Sequence, residues 1–178
     1  MLKKIVLIFT IILLATACCK KEEEVKAPID QLPPLTHTGA NKAGCLVDGE
    51  AFLPKGLPIL CQYYQQQYFG LAIGKKINNK IHSVGLEVTG NLQVGQTYRL
   101  TIEDYITGHY GNWGIYTEDR YPPPNANYYA TNDVCYGELT ITDHNFSEAT
   151  ISGTFWFNGI NNEGKVVRVT DGRFDCEY

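Results

Sequence analysis

From Gly44 onward, short stretches of Val, Ile, Leu, Tyr, Phe and Thr are separated by Gly, Asn and Asp at intervals of about ten residues, the spacing of an all-β domain. Cys45-Leu46-Val47 and Glu50-Ala51-Phe52-Leu53 flank Asp48-Gly49, a pair that accepts positive φ at a tight turn, so this segment predicts a hairpin. Further strands are predicted over 59–64, 68–74, 81–89 and 96–103. Tyr68 to Ile73 is apolar nearly throughout, as in a strand covered on both faces. Ile81, Val84, Leu86 and Val88 alternate imperfectly but still favour a strand over a helix. Residues 136–142 alternate, Asp143-His144-Asn145 breaks the pattern, and 149–157 resumes it as a second hairpin. Asn158 to Gly164 reads as a polar turn and Val166 to Val169 as a return strand, after which Asp171-Gly172 introduces Arg173 to Tyr178 as a last strand or a bulged continuation. The whole predicts an antiparallel meander, a β-sandwich of about 8–10 strands, with a partly closed β-barrel as the alternative.

The N-terminus follows a different pattern. Lys3 and Lys4 precede an apolar run from Ile5 to Ala15 broken only by Thr10, and small residues follow it. The run is shorter than the roughly 18 residues a membrane span needs, so it reads as an export signal. Leu14-Ala15-Thr16-Ala17-Cys18 resembles a bacterial lipobox, although Ala15 stands where Leu is commoner. That resemblance implies cleavage after Ala17 and lipidation of Cys18, which makes the membrane a partner through acyl chains whose buried methylenes contribute about 0.8 kcal/mol each. Cys19 and the run Lys20, Lys21, Glu22, Glu23, Glu24 resemble the signal that sends many Bacteroidota lipoproteins to the outer face of the outer membrane. The plain reading of that run is a solvated charged spacer, and the periplasmic face is the alternative location. The expected organisation is therefore residues 1–17 as signal peptide, 18–43 as lipidated N-terminus and disordered tether, and 44–178 as one β domain.

Charge narrows the partners. Lys3 and Lys4 leave with a signal that carries no acid, so the formal charge moves from −4 to −6. An acidic domain disfavours nucleic-acid backbones, and no nucleic-acid partner is expected.

With the strands placed, Leu32-Pro33-Pro34-Leu35-Thr36-His37-Thr38-Gly39-Ala40-Asn41 running into Gly44-Cys45-Leu46-Val47-Asp48-Gly49 resembles the opening of a family of uncharacterised Bacteroidota lipoproteins. Gly137 to Thr142, Ile151 to Phe157 and Thr170-Asp171-Gly172-Arg173-Phe174-Asp175 are similar to its closing strands. The resemblance implies a domain of unknown function on a lipid anchor, with no catalytic set to carry over. Four cysteines remain in the domain, and export places them where disulfides persist. Cys135 opens one C-terminal strand and Cys176 closes the last, while Cys45 and Cys61 lie on successive N-terminal strands, so Cys135–Cys176 and Cys45–Cys61 are the expected pairs. Buried free thiols are the alternative.

Catalytic and metal patterns are weak. His37, His82, His109 and His144 are not at ligand spacing, no Cys-x-x-Cys occurs, and neither a metal nor another cofactor is expected. Ser83, Ser147 and Ser152 lack a nucleophile elbow. Glu103-Asp104 and Glu118-Asp119 are the best carboxylates for glycoside hydrolysis but read more simply as solvated turns. Gly70 and Gly74 near Lys75-Lys76 do not form a phosphate loop.

One compositional feature remains: residues 105–136 hold seven tyrosines and a tryptophan among Gly, Asn and Pro122-Pro123-Pro124. Such rings suit sugar stacking or protein contact, with Tyr110, Trp113, Tyr121, Tyr128 and Tyr129 as candidate ligand-binding loop residues; the plainer reading is that they cover sheet faces. The expected function is a non-enzymatic surface lipoprotein, a binding or structural module, and the alternative is a glycan-binding or glycan-processing accessory protein using this aromatic loop.

Overall fold

The computed structural model describes residues 26–101, 111–119 and 127–178. A 3-10 turn at Pro28–Gln31 precedes β1 (Lys42–Val47), β2 (Glu50–Phe52), β3 (Leu60–Tyr64), β4 (Tyr68–Ile77), β5 (Lys80–Thr89), β6 (Thr97–Leu100), β7 (Trp113–Glu118), β8 (Asn127–Ala130), β9 (Gly137–Asn145), β10 (Thr150–Ile160) and β11 (Val166–Glu177). The strands pair antiparallel in one 11-stranded sheet of order β2-β1-β11-β10-β8-β7-β5-β4-β3, with β9 also on β10 and β6 on β9. The β-sandwich meander is thus the observed class, and the described strands outnumber the expected 8–10 and do not close into a barrel.

The long strand β10 lets one sheet make two layers. Thr150 to Phe157 pair with β9, while Ile160 pairs with Ala130 of β8, so successive parts of β10 serve different layers. Opposite it, the register with β11 slips between Phe155 and Phe157, where Asp171 takes φ of 54°. The extra residue falls on β11, so 166–177 is one bulged strand and not two. The layers meet through rings: Phe69 of β4 stacks on Phe174 of β11 at 5.4 Å between centroids, and Phe52 of β2 meets Tyr116 of β7 edge-on at 6.1 Å. Phe157 is fully buried, and its ring lies where a Cβ on Gly114 would come within 2.8 Å. The Asp48-Gly49 hairpin forms as expected, with φ of 48° and 87° at the two positions.

Two expectations are corrected. The chain is already fixed well before Ala43: Leu32 is 7% exposed, and the segment after it is strapped to Asp175. The Thr36 hydroxyl donates to that carboxylate at 2.6 Å, the Gly39 N–H at 2.7 Å and the Thr38 N–H at 3.0 Å. Burial alone would raise the Asp175 pKa, but the Thr36 hydroxyl and the backbone N–H groups of Thr38, Gly39 and Ala40 outweigh it and hold the carboxyl well below its ordinary value. The polar composition of 32–41 therefore serves a hydrogen-bonded strap and not a tether. Secondly, the segment read as aromatic loop contains β7 and β8, so Trp113, Tyr128 and Tyr129 stand on strands.

Candidate functional site

The chain has two tryptophans, and each lies on an outer face of the sandwich, half-buried, opposite a glutamate in the neighbouring strand. Trp156 of β10 is the register partner of Glu138 of β9, and its indole N–H donates to that carboxylate at 3.3 Å. Trp113 of β7 is the partner of Glu87 of β5. Burial raises the Glu87 pKa, and a hydrogen bond from Trp113 partly offsets it. In each case the pleat puts ring and acid on the same side, because residues opposite in an antiparallel pair share a face.

Around Trp156 the face is polar and concave. Arg99, Glu138 and Trp156 form one row across β6, β9 and β10; Thr97, Thr140, Thr154 and Arg173 form the next across β6, β9, β10 and β11. The Arg99 guanidinium sits 4.2 Å over the Tyr136 ring, and Tyr136 meets Trp156 edge-on at 5.5 Å. A cavity of about 280 Å³ opens here between Trp156, Glu138, Thr140, Thr154 and Arg173, rimmed by Leu35 and Asp171. Ring, carboxylate, guanidinium and hydroxyls converge in it, a set able to stack on a flat apolar face while exchanging hydrogen bonds with hydroxyls around its edge.

The Trp113 face is shallower in polar groups. Its groove, about 290 Å³, has small residues Gly70, Ala72 and Gly85 as floor and Trp113, Leu60 and Gln62 as walls, with Glu87, Ser83 and Thr117 as polar members. Tyr64 stacks on Tyr68 at 5.0 Å beyond one end of this face.

Of the aromatic residues expected to bind, Tyr110 and Tyr121 lie outside the described residues. Trp113 and Tyr128 share the outer face but are separated along β7, since Tyr128 pairs with Thr117, four residues from Trp113. Tyr129 is buried against Tyr116, 6.0 Å away, and belongs to the core. Burial pushes Tyr116 up to about 12. Among the carboxylate candidates, Glu103-Asp104 lie outside the described residues and Asp119 is ion-paired with Lys80 at 2.7 Å. Cys18 also lies outside them. Among the described residues no group of three His, Cys, Asp or Glu could hold a metal ion. Trp156, Glu138, Thr140, Thr154 and Arg173 were not singled out by sequence reasoning; a tryptophan outward in a strict alternation, facing glutamate and threonine, was the available signal.

No two of the four described cysteines are bonded in this structure, and the expected pairs are not neighbours. Cys176 is opposite Ile151, which is opposite His144, whereas Cys135 lies beyond Gly137 at the other end of β9. At a strand rise of about 3.3 Å per residue that is a separation of roughly 20 Å or more, against a bridging limit of about 7 Å. Cys45 sits on β1 beyond Lys42, the partner of Asp175, and so about 13 Å along the strand from the level of Cys176. At that level Cys61 meets Cys176: contact with the Cys176 thiol, then burial, push the Cys61 thiol far up. Burial pushes Cys45 up to about 12.

Next to this pair is a cluster of rings. Tyr63 lies 4.7 Å from His144, 5.2 Å from Tyr178 and 6.0 Å from Phe146. His144 Nε2 is 3.1 Å from the Tyr178 hydroxyl, its Nδ1 is buried with no hydrogen-bond partner among the described residues, and burial lowers its pKa despite Asp143.

A family model described as a domain of unknown function, DUF6252, matches residues 73–175, more than half of the chain. The chain belongs to the DUF6252 family. No curated protein and no solved structure matches it. The DUF6252 match takes in Glu87, Trp113, Glu138, Thr140, Thr154, Trp156 and Arg173, and leaves out β3 with Cys61, as well as Cys176.

Proposed function

We propose that this DUF6252 protein is an exported lipoprotein, anchored through Cys18 and displayed on the cell surface as in Bacteroidota, and that its domain is a non-enzymatic binding module for a saccharide. Support for the anchor is the order of charged, apolar and small residues before Cys18; support for surface display is the run Lys20 to Glu24. The observation that carries the ligand class is the Trp156 cavity. It combines a half-buried indole with a carboxylate, a guanidinium and two threonine hydroxyls on rigid strands, and saccharides present an apolar ring face edged by hydroxyls. The site thereby moves from the 105–136 segment to β9, β10 and β11.

A glycan-array screen of the full chain in detergent tests this. Trp156→Ala should weaken the best hit tenfold or more, about 1.4 kcal/mol, while melting like the parent. A chain that binds no glycan, or binds equally well without Trp156, returns the domain to a structural role. The anchor is tested separately: Cys18→Ala should leave the membrane fraction and lose labelling by a palmitate analogue, and retention of both would refute it. Added protease should reach the domain on intact cells; digestion only after outer-membrane lysis would place it on the periplasmic face.

A further inference from the structure

Cys61 and Cys176 come from strands far apart in the sheet order, yet face each other across the core. β3 ends the path and pairs with β4, while β11 lies between β1 and β10. Cys61 and Tyr63 are the inward, part-buried residues of β3, and both pack against the core that contains the fully buried Cys176. Two residues further along each strand the same alignment repeats, because Tyr63 meets Tyr178 at 5.2 Å between centroids. Successive inward positions of β3 thus face successive inward positions of β11, thiol on thiol and then ring on ring. Cys61 and Cys176 occupy the inward positions next to this ring contact, on the same two strands and against the same core, a placement that neither other cysteine of the domain has.

The geometry points to Cys61–Cys176 as a disulfide that staples β3 to β11 in the exported chain. The inference rests on the proposed envelope location for its oxidant, an oxidised protein dithiol. One cysteine thiolate attacks a sulfur of the oxidant's disulfide and displaces a thiolate; the second cysteine then attacks the mixed disulfide. The two thiols give up two protons and two electrons, and one disulfide of the oxidant becomes two thiols. Burial disfavours the thiolate once the core has formed, so the bond forms during folding and is shielded afterwards.

The staple has a place in the architecture. Among the described residues β3 pairs on one side, with β4, and its outward residues Leu60 and Gln62 line the Trp113 groove. A strand paired at a single edge is the first to fray and the easiest to template onto another chain. Fixing Cys61 inward holds that wall in place.

The four cysteines of the domain fall in different tryptic peptides, which makes the connectivity readable. The full chain is refolded in detergent with glutathione and glutathione disulfide, alkylated, digested without reduction and mapped by mass. Peptide 56–75 should be joined to 174–178 in the parent and in Cys135→Ser, and separate in Cys61→Ser and Cys176→Ser. The denaturation midpoint of those two variants should fall to that of the reduced parent. Alkylated Cys61 and Cys176 after oxidative refolding, or a link to Cys45 or Cys135, would overturn the pairing. Acid-trapped cells separate the two readings: a link made on refolding but absent in cells leaves the pairing standing and removes the envelope location, whereas a link in neither removes the pairing.

Discussion

Ser152 and Asp175 stand opposite each other in the β10–β11 ladder, and the Ser152 hydroxyl donates to the Asp175 carboxylate at 3.0 Å. The same carboxylate receives the strap at Thr36, Thr38 and Gly39, so one buried charge joins three parts of the chain. Hydrogen bonds to a charged group contribute more than neutral ones, and removing their acceptor strands several donors at once.

Asp175→Ala should therefore lower the unfolding free energy by about 3 kcal/mol in urea titration. Because the folded pKa lies below the ordinary 3.8, the unfolded chain binds more protons in the interval between them. The stabilisation is complete above the unfolded value and disappears as pH falls through the folded one. Asp175→Asn should flatten the acid limb of the stability curve; an unchanged limb would show that another group carries it.

His144 gives a second pH dependence at higher pH. Its folded pKa is lowered by burial from 6.5, so the neutral ring is favoured in the fold and stability declines as pH falls below that value. The groups facing it are Asp143, Tyr63, Phe146 and Tyr178. His144→Phe should remove the decline below the ordinary histidine value of 6.5 in thermal melts. Persistence of the decline in the variant would assign it elsewhere.

Phe157→Ala should cost about 3–5 kcal/mol, since the ring is fully buried and the glycines around it cannot reach into the space. Denaturant titration measures this, and a loss under 1.5 kcal/mol would show that the two layers collapse over the gap.

Gly70→Val separates the two tryptophan faces. A Cβ at Gly70 meets only the Tyr68 ring, at 3.6 Å, so the fold should be kept while the floor of the Trp113 groove rises. Saccharide binding should be unchanged within about twofold, whereas loss of binding with an intact melting temperature would transfer the site to Trp113.

The strands are legible wherever the alternation is strict or the turn chemistry explicit. β9, β10 and the Asp48-Gly49 hairpin are of this kind, and β9 and β10 also carry Glu138, Thr140, Thr154 and Trp156. β7 and β8 were hidden because their tyrosines lie among Gly, Asn and Pro, a composition that also marks loops. The strap was hidden because Thr36, Thr38 and Gly39 acquire their meaning from Asp175, about 140 residues away in the chain, and local pattern carries no such pairing. The thiol contact was hidden for the same reason: it depends on how far the sheet folds back, which places the last strand of the path against β11.

The strap at Asp175 also sets the height at which the domain can stand. On the proposed Cys18 anchor, with Pro28 already in the first turn, the ten-residue step between them spans at most about 35 Å. Under that proposal a pull on the lipid meets the 3-10 turn first and then the strap, which hands it to β11 in the interior of the sheet, where it loads long ladders in shear.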